Sequence, residues 1–161
     1  MNLSKQKPGL VLFVCTGNTC RSPMAEGIFN YFVQTQHAQP WYAQSAGLAA
    51  FAGDAAMPQA VAALAELGLD ISGHRSRRLQ PQMMEQAALV VTMTEAQKAQ
   101  LAALFPEQKQ KLLSFGDLTG AEIADPYGSS LAVYAQTAAE LAEGLKALCR
   151  QLFGKCEEGN H

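Results

Sequence analysis

Most of the chemistry this chain can carry is gathered in nine residues, Cys15-Thr16-Gly17-Asn18-Thr19-Cys20-Arg21-Ser22-Pro23. Cys15 is a nucleophile by residue type, and Arg21 offers a planar fork for two phosphate oxygens. Gly17 gives the loop conformational freedom, and Asn18 is among the few non-glycine residues that tolerate positive φ. A turn of this composition that enters a helix can aim backbone N–H groups and the positive helix end at an anion. Cys15, at the bottom of such a loop beside a guanidinium, is placed to react as a thiolate. A phosphate-sized anion held above it is a site for nucleophilic displacement. Departure of the leaving group then needs an acid, because expelling it unprotonated is costly. The chain has fourteen acidic residues, and residue type alone does not choose among them.

Other readings of the segment fit less well. Taken singly, Cys15 would read as a buried residue ending a strand and Arg21 as a surface residue capping a loop. The combination Cys-x5-Arg-Ser between a buried strand and a capped helix is much more specific. A nucleotide phosphate loop ends in Gly-Lys-Ser/Thr, whereas this one ends in Cys-Arg-Ser. Cys15 and Cys20 are separated by four residues, no Cys-x-x-Cys occurs, and His37, His74 and His161 are scattered. No zinc site and no cofactor are therefore expected.

The elements around the segment read as alternating strands and helices. Leu10 to Val14 is a continuous apolar run, the mark of a strand covered on both faces. Ser22 and Pro23 read as N-cap and first helical residue, followed by Ala25, Ile28, Phe29 and Phe32 at helical spacing. Trp41 to Ser45 reads as a second strand. Met57, Ala60, Val61, Leu64 and Leu67 make the stripe of a helix opened by Pro58 and closed by Gly68. Ala88 to Thr92 is a third strand, and Thr94 to Gln97 has capping-box spacing for a helix that stops before Pro106. Leu112 to Phe115 reads as a fourth strand. Ser130 caps a last helix striped by Tyr134, Ala138, Leu141, Leu145, Leu148 and Leu152. The alternation implies a three-layer, doubly wound α/β fold with a four-stranded parallel sheet. Ligands bind such sheets beyond the carboxyl ends of the strands, which singles out the turn after the first strand.

Composition narrows the function classes. The 161 residues suit one domain over 1–161, 48% hydrophobic and 16% charged, which is a globular composition. Twelve Lys+Arg against fourteen Asp+Glu give a net charge of −2, with no basic excess for nucleic acid. The apolar run at Leu10 is too short for a membrane span, and no cleavage site for a secretory signal follows it. Four cysteines do not make a disulfide framework. The expectation is a cytoplasmic monomer that binds neither nucleic acid nor membrane. Arg75, Arg77 and Arg78 read as a solvated basic loop, and Cys149 and Cys156 as incidental.

The segment Val14 to Glu26, VCTGNTCRSPMAE, resembles the active-site signature of the low-molecular-weight protein-tyrosine-phosphatase family. The likeness extends along nearly the whole chain. Ser45-Ala46-Gly47 resembles the segment after the family's second strand, Ser72-Gly73-His74-Arg75 its Ser-x-His-Arg loop, and Asp125-Pro126-Tyr127 its Asp-Pro-aromatic loop. The resemblance implies the phosphotyrosine protein phosphatase I-like fold and a phosphorylated protein as substrate. It implies Cys15 as nucleophile, passing through a phosphocysteine, with Arg21 on the phosphoryl oxygens within the loop of Thr16, Gly17, Asn18, Thr19, Cys20 and Ser22. It implies Ser22 as a donor to the thiolate, Asn18 held by Ser45 and His74, and Asp125 as general acid and then base. By position Phe51 and Tyr127 match the aromatic walls of the substrate cleft. Cys20 matches a cysteine that can form a protective disulfide with the nucleophile; a small side chain buried under the loop is the equal alternative.

Departures within the family bear on the substrate. Members that act on phosphotyrosine commonly carry a bulky aliphatic residue where this loop has Thr19. Members that act on phosphoarginine resemble this chain at Cys15 to Ser22 and at Asp125 to Ser130. Phosphoarginine is therefore favoured over phosphotyrosine. The alternatives are a phosphotyrosine phosphatase and a non-enzymatic module that binds phosphorylated residues. Intact Cys15, Arg21 and Asp125 argue against the module.

Overall fold

The computed structural model describes residues 2–154, so Cys156 and His161 lie outside the described residues. Four strands, β1 (Leu10–Cys15), β2 (Tyr42–Gly47), β3 (Ala87–Thr92) and β4 (Leu112–Ser114), form one parallel sheet in the order β2-β1-β3-β4. Among the described residues six α-helices accompany them: α1 (Arg21–Thr35), α2 (Pro58–Ala65), α3 (Pro81–Gln86), α4 (Glu95–Leu104), α5 (Phe115–Thr119) and α6 (Leu131–Phe153).

The alternation of side chains along a strand divides β1 between two cores. Val11, Phe13 and Cys15 face one core, with Met24, Phe29, Tyr134 and Leu141 of α1 and α6. Leu10, Leu12 and Val14 face the other, with Met84 of α3 and Leu101 of α4. All six residues of β1 are buried, as the unbroken apolar run requires. Phe13 and Phe29 meet edge to face, with ring centroids 5.8 Å apart. The result is the expected three-layer, doubly wound α/β fold. The chain leaves β1 toward β2 on one side and returns to β3 on the other, so the carboxyl end of β1 is the point where strand order reverses.

Several boundaries differ from the sequence expectation. Helix α1 begins at Arg21 with Cys20 as its N-cap and no side-chain cap bond. Ser22 is thus inside the first turn and not the cap, because its hydroxyl is engaged by Asn18 and Cys15. Pro23 follows as the third helical residue. Strand β2 starts after Trp41, whose ring is buried, and runs on to Gly47. Leu67 lies beyond the end of α2 and is exposed, off the stripe assigned to it. Phe115 opens α5 and does not end β4, since Ser114 and Asp117 form a capping box there. Helix α3, unforeseen, begins at Pro81.

Other local signals act as expected. Thr94 Oγ1 accepts the Gln97 N–H at 3.1 Å and Gln97 Oε1 accepts the Thr94 N–H at 3.2 Å, a capping box for α4. Ser130 Oγ accepts the Val133 N–H at 3.4 Å to start α6. All six stripe residues of α6 are buried, and so is Cys149.

Candidate active site

The loop between β1 and α1 is shaped by Asn18, which takes φ 58° and is fully buried. A left-handed non-glycine residue costs about 1–3 kcal/mol, so its surroundings must over-determine it. They do. Asn18 Oδ1 accepts the Arg77 N–H at 2.9 Å, which fixes the amide and turns Nδ2 toward Ser22 Oγ and Ser45 Oγ, both at 2.9 Å. The Asn18 carbonyl accepts from His74 Nε2 at 2.8 Å, so that nitrogen carries the proton. The Asn18 N–H donates to Cys15 Sγ at 3.3 Å.

The direction of this network converges on sulfur. Ser22 Oγ accepts from Asn18, which leaves its proton for Cys15 Sγ, 2.8 Å away. Ser45 Oγ likewise accepts from Asn18 and donates to Glu26 Oε1 at 2.9 Å. Cys15 is buried, with two donors aimed at a sulfur that can bear negative charge.

Backbone contacts hold the loop from outside. The carbonyls of Cys15, Thr16 and Thr19 accept from the N–H groups of Leu48, Ala49 and Met57 at 2.8–2.9 Å. Three acceptors that would repel an anion are thereby engaged by neighbouring chain. Gly47 makes the approach possible: a Cβ there would come within 2.6 Å of the Thr16 carbonyl and 3.0 Å of the Asn18 nitrogen.

A cavity of about 200 Å³ opens over Cys15, lined by Thr16, Gly17, Thr19, Cys20, Arg21, Asp125 and Tyr127. Arg21 is buried, donates from Nη1 to the Ile123 carbonyl at 2.9 Å, and has Nη2 3.8 Å from Asp125 Oδ2. Its Nε has no hydrogen-bond partner. A buried, unpaired donor on a guanidinium in such a loop suits a phosphoryl oxygen. Asp125 is half exposed and its Oδ1 accepts the Tyr127 N–H at 3.1 Å, while Pro126 is buried.

The structure thus brings Cys15, Thr16, Gly17, Thr19, Cys20, Arg21, Asp125 and Tyr127 to one cavity, with Asn18 and Ser22 buried beneath its surface and Ser45 and His74 behind the loop. Phe51 is not among the lining residues. Its side chain is 80% exposed, and its carbonyl accepts from Ser76 Oγ. Cys20 lies under the loop, its Sγ 3.3 Å from the Tyr134 hydroxyl, and burial pushes its thiol up from the ordinary value. The Tyr134 hydroxyl is itself pushed up by burial. Cys15 and Cys20 are not joined to each other in a disulfide.

Three participants escaped the sequence reading. Glu26 ends the serine–asparagine network, Gln97 Nε2 donates to Thr16 Oγ1 at 3.2 Å, and Tyr134 meets Cys20. Gln97 and Tyr134 were legible only as a cap and a core residue.

Residues 10–158 match the family described as low molecular weight phosphotyrosine protein phosphatase. This chain belongs to that family. It is 39% identical over 145 residues to the protein-arginine-phosphatase of Bacillus subtilis (strain 168), covering 88% of this chain and 95% of the relative. It is 35% identical over 126 residues to the low molecular weight protein-tyrosine-phosphatase Wzb of Escherichia coli (strain K12), covering 78% and 82%. A solved structure of YwlE arginine phosphatase, a cysteine-to-serine mutant with a phosphorylated active-site serine, superposes with TM-score 0.84 at 38% identity, covering 89% of this chain and 95% of that one. The protein is therefore a phosphatase of the low-molecular-weight family, a phosphomonoesterase acting on protein substrates. Among the described residues no helix is long and apolar enough to cross a membrane.

Proposed function

We propose that this phosphatase hydrolyses phosphorylated protein side chains through a phosphocysteine on Cys15, with phosphoarginine favoured over phosphotyrosine. The observation that carries the mechanism is the convergence of two donors, the Asn18 N–H and the Ser22 hydroxyl, on a buried sulfur below a cavity lined by Arg21 and Asp125. Cys15 Sγ attacks phosphorus while Arg21 binds phosphoryl oxygens as charge redistributes. Asp125 protonates the departing atom, then takes a proton from the water that cleaves the S–P bond. Ser22 donates to the sulfur as it leaves with restored charge. The phosphorylated active-site serine of the YwlE mutant supports a covalent route.

Thr19 supports the substrate preference. It lines the cavity with a small polar side chain, where a bulky aliphatic would pack against a ring but crowd a branched guanidinium. Tyr127 can stack on either group, so discrimination falls to the loop. A phosphotyrosine substrate is the second reading, favoured by the tyrosine phosphatases among the relatives. The protein is taken to act as a cytoplasmic monomer.

The test is phosphate release from phosphoarginine and phosphotyrosine peptides of matched sequence. The expected outcome is higher kcat/KM on phosphoarginine, with turnover of both abolished in Cys15→Ser while inorganic phosphate still binds. Substantial turnover by Cys15→Ser would overturn the mechanism, and a preference for phosphotyrosine would overturn the substrate assignment.

A further inference from the structure

A second hydrogen-bond chain reaches the cavity from α4 and ends on Thr16. Gln97 is 6% exposed, and its Oε1 accepts the Met93 and Thr94 N–H groups at 3.1 and 3.2 Å. Only the oxygen of an amide can accept, so the orientation of the side chain is fixed and Nε2 is the atom that donates to Thr16 Oγ1 at 3.2 Å. Thr16 is exposed and lines the cavity over Cys15. A threonine hydroxyl has two lone pairs and one proton. Gln97 occupies one lone pair and pins the side chain, which leaves one acceptor site and one donor on the cavity rim.

We propose that Thr16, positioned by Gln97, is a specificity-determining residue that accepts a guanidino N–H of the substrate and donates to the neighbouring phosphoryl oxygen. This inference rests on the phosphoarginine reading above. An N-phosphorylated guanidinium presents N–H donors beside phosphoryl acceptors, the complement of what Thr16 has left. A phosphorylated phenol presents oxygens and C–H edges and no donor. Against a ring the remaining lone pair of Thr16 gives up water without gaining a partner, which penalises that substrate. Donation from Gln97 also polarises the Thr16 O–H and strengthens its bond to the phosphoryl group. Thr16 and Thr19 then form two polar walls around the atom that joins phosphorus to the side chain.

The experiment measures kcat/KM on matched phosphoarginine and phosphotyrosine peptides for the wild type, Thr16→Val, Thr16→Ser, Gln97→Leu and the Thr16→Val/Gln97→Leu pair. Thr16 is exposed and valine is nearly isosteric, so this variant keeps the fold even where Gln97→Leu does not. The phosphoarginine-to-phosphotyrosine ratio should fall about tenfold in Thr16→Val, the size of one lost hydrogen bond in a closed site. It should fall similarly in Gln97→Leu, be no lower in the pair, and be restored by Thr16→Ser. A wild type that prefers phosphoarginine, with the ratio unchanged in Thr16→Val, overturns this inference alone. A wild type that prefers phosphotyrosine overturns the substrate reading beneath it. Multiplied losses in the pair would overturn the positioning role of Gln97.

Discussion

At the scale of single residues, the roles proposed for Asp125 and Arg21 rest on how differently the two side chains are held. Arg21 is buried and tied to the Ile123 carbonyl, so its guanidinium keeps its place when an anion enters. Asp125 is half exposed on a turn braced by its own bond to the Tyr127 N–H, which leaves Oδ2 facing the cavity side of Arg21. A carboxyl so placed can exchange its proton with water between turnovers. Asp125→Asn should slow hydrolysis roughly 10²–10⁴-fold, the usual contribution of a positioned general acid. The loss should shrink on aryl phosphates whose leaving groups need no proton. Pre-steady-state rates across such a series check this, and an equal loss throughout would make Asp125 a structural residue.

At the scale of elements, the capping boxes of α4 and α5 do more than start helices. Lys98 of α4 reaches Asp117 of α5 at 2.8 Å, and Asp117 also caps α5 through the Ser114 N–H at 2.8 Å. The Lys98 bond is the main cause that holds the Asp117 carboxyl below its ordinary value of 3.8, and the Ser114 contacts add to it. The native state therefore binds a proton at Asp117 less readily than the unfolded chain does. Its contribution to stability is complete above about pH 4 and is lost as pH falls through the native value. Asp117→Asn should lower stability at pH 7 by about 0.5–1 kcal/mol, a modest figure because the pair is partly exposed to solvent. Urea unfolding at pH 7 and at pH 3 should show the difference between variant and wild type narrowing in acid. An unchanged gap would assign the effect to packing and not to charge.

At the scale of the whole molecule, the cavity is assembled from segments far apart in the chain. The β1–α1 loop supplies the cradle, β2 and the segment at His74 hold it from behind, and the Asp125 turn closes it from the other end of the sequence. A ligand that binds only this assembled state stabilises the entire fold. Inorganic phosphate at about 100 times its Kd should add about 2.7 kcal/mol, a rise in Tm of roughly 5–10 °C for a domain of this size. Arg21→Ala should lose most of that rise in a thermal scan with and without phosphate. A rise of the same size in the variant would place the anion elsewhere.

Local chemistry makes much of this legible in the sequence. The apolar run of β1, the capping box at Thr94 and Gln97, the cap at Ser130 and the stripe of α6 are short-range signals, and each formed as its residues dictate. The loop between β1 and α1 was legible too, since a buried apolar run followed by glycine, asparagine and a Ser-Pro pair marks a turn from strand into helix. Periodicity, however, reports that a side chain is buried and not what it meets. Tyr134 read as one more core residue, yet its hydroxyl touches Cys20 across 114 positions. Gln97 read as a cap, yet its amide reaches Thr16 across 81. Ser22 read as a cap, yet the buried Asn18 amide claims its hydroxyl and turns it toward sulfur. The strand order β2-β1-β3-β4 decided the first two outcomes directly, and the third through Ser45 and Arg77, which orient the Asn18 amide. It sets β1 between β2 and β3 and carries α1, α4 and α6 past the carboxyl end of the same strand, where side chains distant in sequence must satisfy one another's polar atoms.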